Sequence, residues 1–166
     1  MTASRNTTAA LIDHHLKMVG TLVNNAAICD LMLFSAFKII SGCEDKIASA
    51  IYFPSETLQS KKNIIGRILK VVGDQAEAKI INRIISATEK SQNQRNELSH
   101  ALLQVSGEGN QLLRFNARHQ DQPGKPVTGP YLDGLLKQST RAHLEAHLAF
   151  QELCQKRGIS PSISHE

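Results

Sequence analysis

The spacing of apolar and polar positions along the chain is helical almost throughout. Over residues 8–41, Ile12, Leu16, Val19, Val23, Ala26, Leu33, Phe37 and Ile40 recur at alternating steps of three and four, apart from one gap. Such spacing makes one apolar stripe, the pattern of a long helix lying on a bundle core. The gap falls at Asp30, and Gly42 is placed to end the helix. A short helix is expected over residues 44–52. Pro54 stops it, because the residue before proline is pushed away from helical angles. Ser55 is a candidate N-cap for a helix running to Val72, with Leu58, Ile65, Leu69 and Val72 inward and Gly73 closing it. Asp74 and Glu77 then form a capping-box-like start, D-x-x-E. The helix that follows carries Ile81, Ile84, Ile85, Leu98, Leu102 and Val105, and it is expected to end near Gly107.

Between residues 106 and 130 glycine and proline become dense. Within that stretch, Gln111 to Asn116 reads as a short strand. It would pair with residues 101–105 or their neighbours across the turn Ser-Gly-Glu-Gly-Asn. A last helix is expected over residues 131–157, with Leu132, Leu135, Leu136, Leu144, Leu148 and Leu153 on its apolar positions. Four main helices joined by short loops imply a mostly all-α fold, an up-and-down bundle with a small β-hairpin near residues 101–116. Residues 1–157 read as one domain, and residues 158–166 as a flexible tail.

Composition narrows the function. At 166 residues the chain is long enough to bury a core without disulfides or metal, and 41% apolar residues supply one. Aromatics at 4%, with no Trp, argue against a base-stacking platform for single strands. With no unbroken apolar run of about 18 residues, no membrane span is expected. The first residues hold Arg5, Asp13, His14 and His15 and no apolar core of a signal peptide, so none is expected. Cys29, Cys43 and Cys154 are odd in number and lack a C-x-x-C, which reads as reduced thiols in a cytoplasmic protein. The net charge of +4 is mild, but it is local. Residues 1–54 and 131–166 each balance four basic with four acidic side chains, whereas residues 55–130 hold eleven basic against seven acidic. An anionic partner such as RNA would find its counter-charge there.

One constellation carries chemistry. Along the third long helix the inward stripe runs Ile81, Ile84, Thr88, Ser91, Arg95, Leu98, turning polar from Thr88 to Arg95. A charged residue on an inward stripe is costly unless paired, and such local rule-breaking is where function is often found. Asn96 and His100 are four apart and share a face. Arg95 and His100 are separated by roughly 140° around the helix axis at about 100° per residue, so they would flank a groove rather than touch. The bland alternative for Arg95 is an ion pair with Asp30 or Glu97. Pairing with Asp30 is the sharper expectation, since both interrupt apolar stripes. The bland alternative for His100 is a partly buried helix histidine.

The spacing R-x4-H with Asn directly after Arg (Arg95-Asn96 to His100) resembles the signature of HEPN domains, and the order of helices resembles theirs over most of the chain. The resemblance implies a metal-independent endoribonuclease acting as a homodimer, in which two such motifs face each other across a cleft. Arg95, Asn96 and His100 would be its catalytic residues, with Asp30 and Ser99 as supporting candidates. It also implies a place in toxin–antitoxin or anti-phage systems, with an antitoxin or regulatory protein as a further partner. The residue types suit that chemistry. Histidine titrates near neutrality and can move a proton at the 2′-OH or the leaving oxygen. Arginine offers a fixed fork of donors to the phosphate. No cofactor and no metal are required. Leu102 stands where one subgroup of the family carries a modifiable Tyr, so that mode of regulation is not expected, and Ala101 stands where many relatives have Gly.

Other candidates are plainer. Arg114 to His119 is a second R-x4-H, but it lies in the Gly/Pro-rich stretch and lacks the Asn. Lys61, Lys62, Arg67 and Lys70 are candidate phosphate contacts, read more simply as the solvated side of a helix. His143 and His147 have zinc-ligand spacing, but Leu144 stands where a metalloprotease needs Glu and no third ligand is near in sequence, so no metal site is expected. His14 and His15 read as surface residues, and the three cysteines as small core side chains. A non-enzymatic reading stands beside the ribonuclease: a HEPN-like bundle that binds a protein partner or a nucleotide without cleaving anything.

Overall fold

The computed structural model describes residues 2–106, 111–116 and 123–160, with the side chains of residues 2–7 and of Asn116 left out. Among the described residues the order is α1 (Thr2–Ser41), α2 (Asp45–Tyr52), α3 (Leu58–Val72), α4 (Gln75–Ser99), β1 (Ala101–Val105), β2 (Leu112–Asn116), β3 (Lys125–Pro126) and α5 (Gly129–Lys156). The fold is a mostly helical bundle with a small antiparallel sheet, as the spacing predicts. Its residues form two compact units, Met1–Ala26 with Ser91–Arg141, and Ala27–Lys90 with Ala142–Glu166. The divisions fall within the residue ranges of α1, α4 and α5.

The first unit is built on Met18 and Leu22 of α1, Leu98 of α4, Leu112 of β2, Val127, and Leu132 and Leu135 of α5. Each large side chain so buried contributes about 1.5–3 kcal/mol. The strands lie in the order β1-β2-β3, all antiparallel, with Ala101 opposite Asn116 and Leu103 opposite Arg114. Ser106 N–H donates to Gln111 O at 2.9 Å and closes the described part of the hairpin. The turn predicted over residues 107–110 lies outside the described residues.

Pairing of β1 with β2 ends α4 at Ser99, eight residues short of the expected Gly107. Leu102 and Val105 are therefore exposed strand residues rather than inward helical ones. Two descriptions of residues 101–105 compete in the sequence, and the hairpin wins because β2 satisfies their backbone groups.

The second unit packs Cys29, Met32, Leu33, Phe37 and Ile40 of α1 against Tyr52, Ile65, Ile81, Ile84, Phe150 and Leu153. Gly42, at φ 64°, takes the left-handed position after α1, and its N–H donates to Lys38 O. Helix α3 starts two residues later than a Ser55 cap requires. Thr57 is its N-cap, and the Thr57 hydroxyl accepts from Ser60 N–H at 3.1 Å. The Asp74 half of the expected capping box forms, with Glu77 N–H donating to its carboxylate at 2.7 Å. The reciprocal half does not, because the buried Glu77 carboxylate grips Arg157 instead. Beyond α5, Ile159 N–H donates to Cys154 O, so the start of the expected tail is tied to the helix. Residues 161–166 lie outside the described residues.

Two stripes differ from expectation. On α1 the buried positions in the first unit are Thr8, His15, Met18, Leu22 and Ala26, of which only Ala26 belongs to the expected stripe, whereas Leu16 is 63% and Val23 43% exposed. The first half of this helix carries apolar residues on two adjacent faces; Ile12 and Val19 of the expected stripe are half-buried at the edge of this core, while Leu16 and Val23 face outward. On α5, Leu144 and Leu148 are exposed, and the core is formed by Ala142, Ala146, Ala149 and Phe150 one step around the helix. Small alanines allow close helix approach, which a count of large side chains overlooks. By length and composition alone, residues 8–41 of α1 are long and apolar enough to cross a membrane, which the absence of an unbroken apolar run did not suggest. Core helices of soluble proteins and N-terminal signal sequences pass the same test.

Candidate functional site

Arg95, Asn96 and His100 belong to the first unit, at the C-terminal end of α4. The half-buried Arg95 donates from Nε at 3.0 Å and from Nη2 at 2.6 Å to one acceptor, the Asn96 Oδ1. Of the five N–H donors on a guanidinium, three remain for another acceptor. His100 is the first residue past the helix. Its N–H donates to Asn96 O at 3.3 Å, and its side chain is exposed, with no side-chain partner among the described residues. It is therefore neither the partly buried helix histidine of the bland reading nor sealed in a core. Ser99 is exposed on the last helical residue.

The polar stretch before Arg95 is buried. Thr88 is fully enclosed and donates to Ile84 O at 2.9 Å and Cys29 O at 3.3 Å. Ser91 Oγ and Gln94 Oε1 are buried without a hydrogen-bond partner among the described residues. In the same unit Asn25 Nδ2 donates to Ser139 Oγ at 3.1 Å.

The expected Arg95–Asp30 pair does not form. Asp30 lies in the second unit and is bound by Lys61, whose Nζ is 2.9 Å from Oδ1 and 2.7 Å from Oδ2. Tyr52 OH donates to the same carboxylate at 2.9 Å, and Lys61 Nζ sits 4.4 Å from the centre of the Tyr52 ring. Burial, then the Asp30 charge and hydrogen bond, push the Tyr52 phenol far above its usual range. Asp30 therefore braces a core rather than the motif. Lys61, offered as a phosphate contact, is buried in that pair and unavailable to solvent phosphates. Lys62 pairs with Glu89 at 3.4 Å, while Arg67 and Lys70 are exposed.

Glu97, the other expected partner of Arg95, is engaged elsewhere. Its Oε1 accepts from Arg114 Nη2 at 3.0 Å and from Tyr131 OH at 3.0 Å, and the Arg114 guanidinium lies 4.7 Å from the Tyr131 ring centre. This cluster was not read from the sequence. Arg114 stood out only as the start of the second R-x4-H, whose His119 lies outside the described residues. Placing Arg114 beside Glu97 requires the hairpin register.

His15 is buried rather than on the surface, with Nδ1 unpartnered, and burial pushes its imidazole below the ordinary value. His14 is partly exposed, 3.5 Å from Asp133. His143 and His147 are half-buried. The His143 imidazole is pushed down by burial and then by the His147 charge. Among the described residues no group of three or more His, Cys, Asp or Glu side chains is placed to hold a metal ion. Cys29 and Cys154 are buried and Cys43 half-buried, none of them in a disulfide.

No family model, curated protein or solved structure matches this chain.

Proposed function

We propose that the chain is an endoribonuclease that needs no metal, of the kind its R-x4-H motif resembles. The observation that carries this reading is a guanidinium held by Asn96 on the same helix end as an exposed His100, five residues after Arg95 and just past the helix. RNA supplies its own nucleophile. His100 takes the 2′-OH proton as the oxygen attacks phosphorus, and the leaving 5′-oxygen acquires a proton from an acid. The products are a 2′,3′-cyclic phosphate and a 5′-OH. Arg95 directs its remaining donors at the phosphoryl oxygens, where charge grows in the transition state. Base and acid cannot be one side chain in one protonation state at once. A second copy of the chain, supplying a second histidine across a two-fold axis, therefore belongs to the proposal. Cytoplasmic RNA is the substrate, and an antitoxin or other regulatory protein is the partner that restrains it. The excess of eleven basic over seven acidic residues in the segment around the motif supports an anionic substrate.

The test is cleavage of mixed RNA by the purified protein in the presence of a chelator, beside His100→Ala and Arg95→Ala. Loss of about a hundredfold or more in rate is expected for either. Cleavage that His100→Ala leaves untouched would show the assignment to be wrong. A second reading, a non-catalytic bundle that binds a protein, is favoured by the exposed Leu16 and Val23 on α1. That reading gains if neither the parent nor the variants cleave RNA.

A further inference from the structure

Resting on the ribonuclease reading, we infer that Glu97 is a positioning residue for His100, clamped from two sides by Arg114 and Tyr131. The argument starts from where His100 sits. A helix leaves its last carbonyls without intrahelical donors, and terminal turns fray. Helix α4 ends at Ser99, and the chain is extended again from Ala101. His100 is the single residue between helix and strand, and its exposed side chain has no side-chain partner of its own among the described residues. Its place is set by whatever holds the backbone on either side.

Both sides are held by the same arginine. Before His100, Glu97 is bound through one oxygen by Arg114 Nη2 and Tyr131 OH, each at 3.0 Å. After His100, Leu103 of β1 lies directly opposite Arg114 in the β1–β2 register. Arg114 is itself fixed, with its side chain 20% exposed and its guanidinium 4.7 Å from the Tyr131 ring centre. One carboxylate thus joins α4, β2 and the first turn of α5. Burial, followed by the Glu97 bond and charge, pushes the Tyr131 phenol upward, so at neutral pH it remains a donor. With two donors already on one oxygen, Glu97 is poorly suited to act as a base itself. A partly exposed ion pair of this kind contributes little to stability, so its main effect is on geometry. A catalytic group displaced by about 1 Å can lose about a hundredfold in rate.

The experiment uses the full chain with Glu97→Ala, Glu97→Gln and Tyr131→Phe, and follows the His100 ring signals by NMR, assigned with His100→Gln. Glu97→Ala is expected to shift and broaden the His100 signals and to lower kcat about tenfold or more with KM little changed. Glu97→Gln retains an acceptor for both donors and should restore the parent signals. Tyr131→Phe removes one of the two bonds and should fall between. Unchanged His100 signals in both Glu97→Ala and Tyr131→Phe would overturn the inference. If Glu97→Ala does not fold, Tyr131→Phe alone decides. A parent protein that cleaves no RNA refutes the ribonuclease reading while the NMR comparison still judges the clamp.

Discussion

Replacing Asp30 with Asn gives a direct measure of the ion pair inside the second unit. The substitution keeps an acceptor for Tyr52 OH but removes the charge that Lys61 needs. Lys61 is a largely buried residue, with its side chain 10% exposed, and both Asp30 oxygens lie within 2.9 Å of its Nζ. Removing one partner of a fully buried pair costs about 3–5 kcal/mol, because the other charge is stranded. The Asp30 side chain is 25% exposed, so water offsets part of this, and a loss of about 2–3 kcal/mol is expected. For a chain of this size each kcal/mol moves Tm by about 2–4 °C, so thermal unfolding followed by circular dichroism should shift downward by about 8 °C. Lys61→Met strands a carboxylate that still has Tyr52 and some solvent, and it should cost less. The double variant Asp30→Asn/Lys61→Met leaves no stranded charge and should return to within about 1 kcal/mol of the parent. Energies of the two single changes that add within about 0.5 kcal/mol would refute the pairing. Arg95→Ala combined with Asp30→Asn should be additive, since these side chains have separate partners.

Other outcomes follow from individual side chains. Burial holds the His15 imidazole below the usual histidine value of about 6.5, so the unfolded chain binds the proton more readily than the folded one. Its contribution is therefore complete above that value and lost as pH falls through the folded pKa, and His15→Leu should flatten the fall of Tm between about pH 7 and pH 5. His143, shifted the same way, adds to this slope and should leave a residue of it in the His15 variant. Leu22→Ala should cost about 2–5 kcal/mol, whereas Leu16→Ala should stay within about 0.5 kcal/mol in denaturant titrations of the monomer.

Much of the architecture is legible in the sequence because its signals are local. Gly42 after α1, Gly73 after α3 and Asp74 before α4 mark boundaries through backbone chemistry confined to a few residues. What fails is the choice between neighbouring faces. Ile12, Leu16, Val19 and Val23 satisfy the period of three and four as well as the true inward set does. Only the packing against α4 and α5 selects Met18 and Leu22 within the first unit. The inward face there also includes His15 and Thr8, polar residues that no count of apolar positions assigns to a core. Helix α4 fails differently. Residues 101–105 fit a helical continuation and a strand, and the decision is made by pairing with β2 in the next segment of the chain, which the helical spacing of α4 does not register.

The candidate site divides along the same line. Arg95, Asn96 and His100 are close in sequence, so their presence on one helix end was readable, and Arg95 meets Asn96 because adjacent residues need no fold to bring them together. Partner choice over distance was not readable. Arg95 and Asp30 both interrupt apolar stripes, which shows that each needs compensation but not from where. Lys61 reaches Asp30 because its long stem can lie along Tyr52 while the ammonium meets the carboxylate. Once Asn96 serves Arg95, Glu97 is free for Arg114 and Tyr131, and a residue that looked like one more surface charge becomes the junction of three elements. The polar break in the α4 stripe thus splits into two kinds of polarity: Thr88 is satisfied by backbone carbonyls within the core, whereas Arg95 keeps donors in reserve at the helix end. Under the proposed function, a charge that the fold holds in place without using all its hydrogen bonds is suited to meet a phosphate.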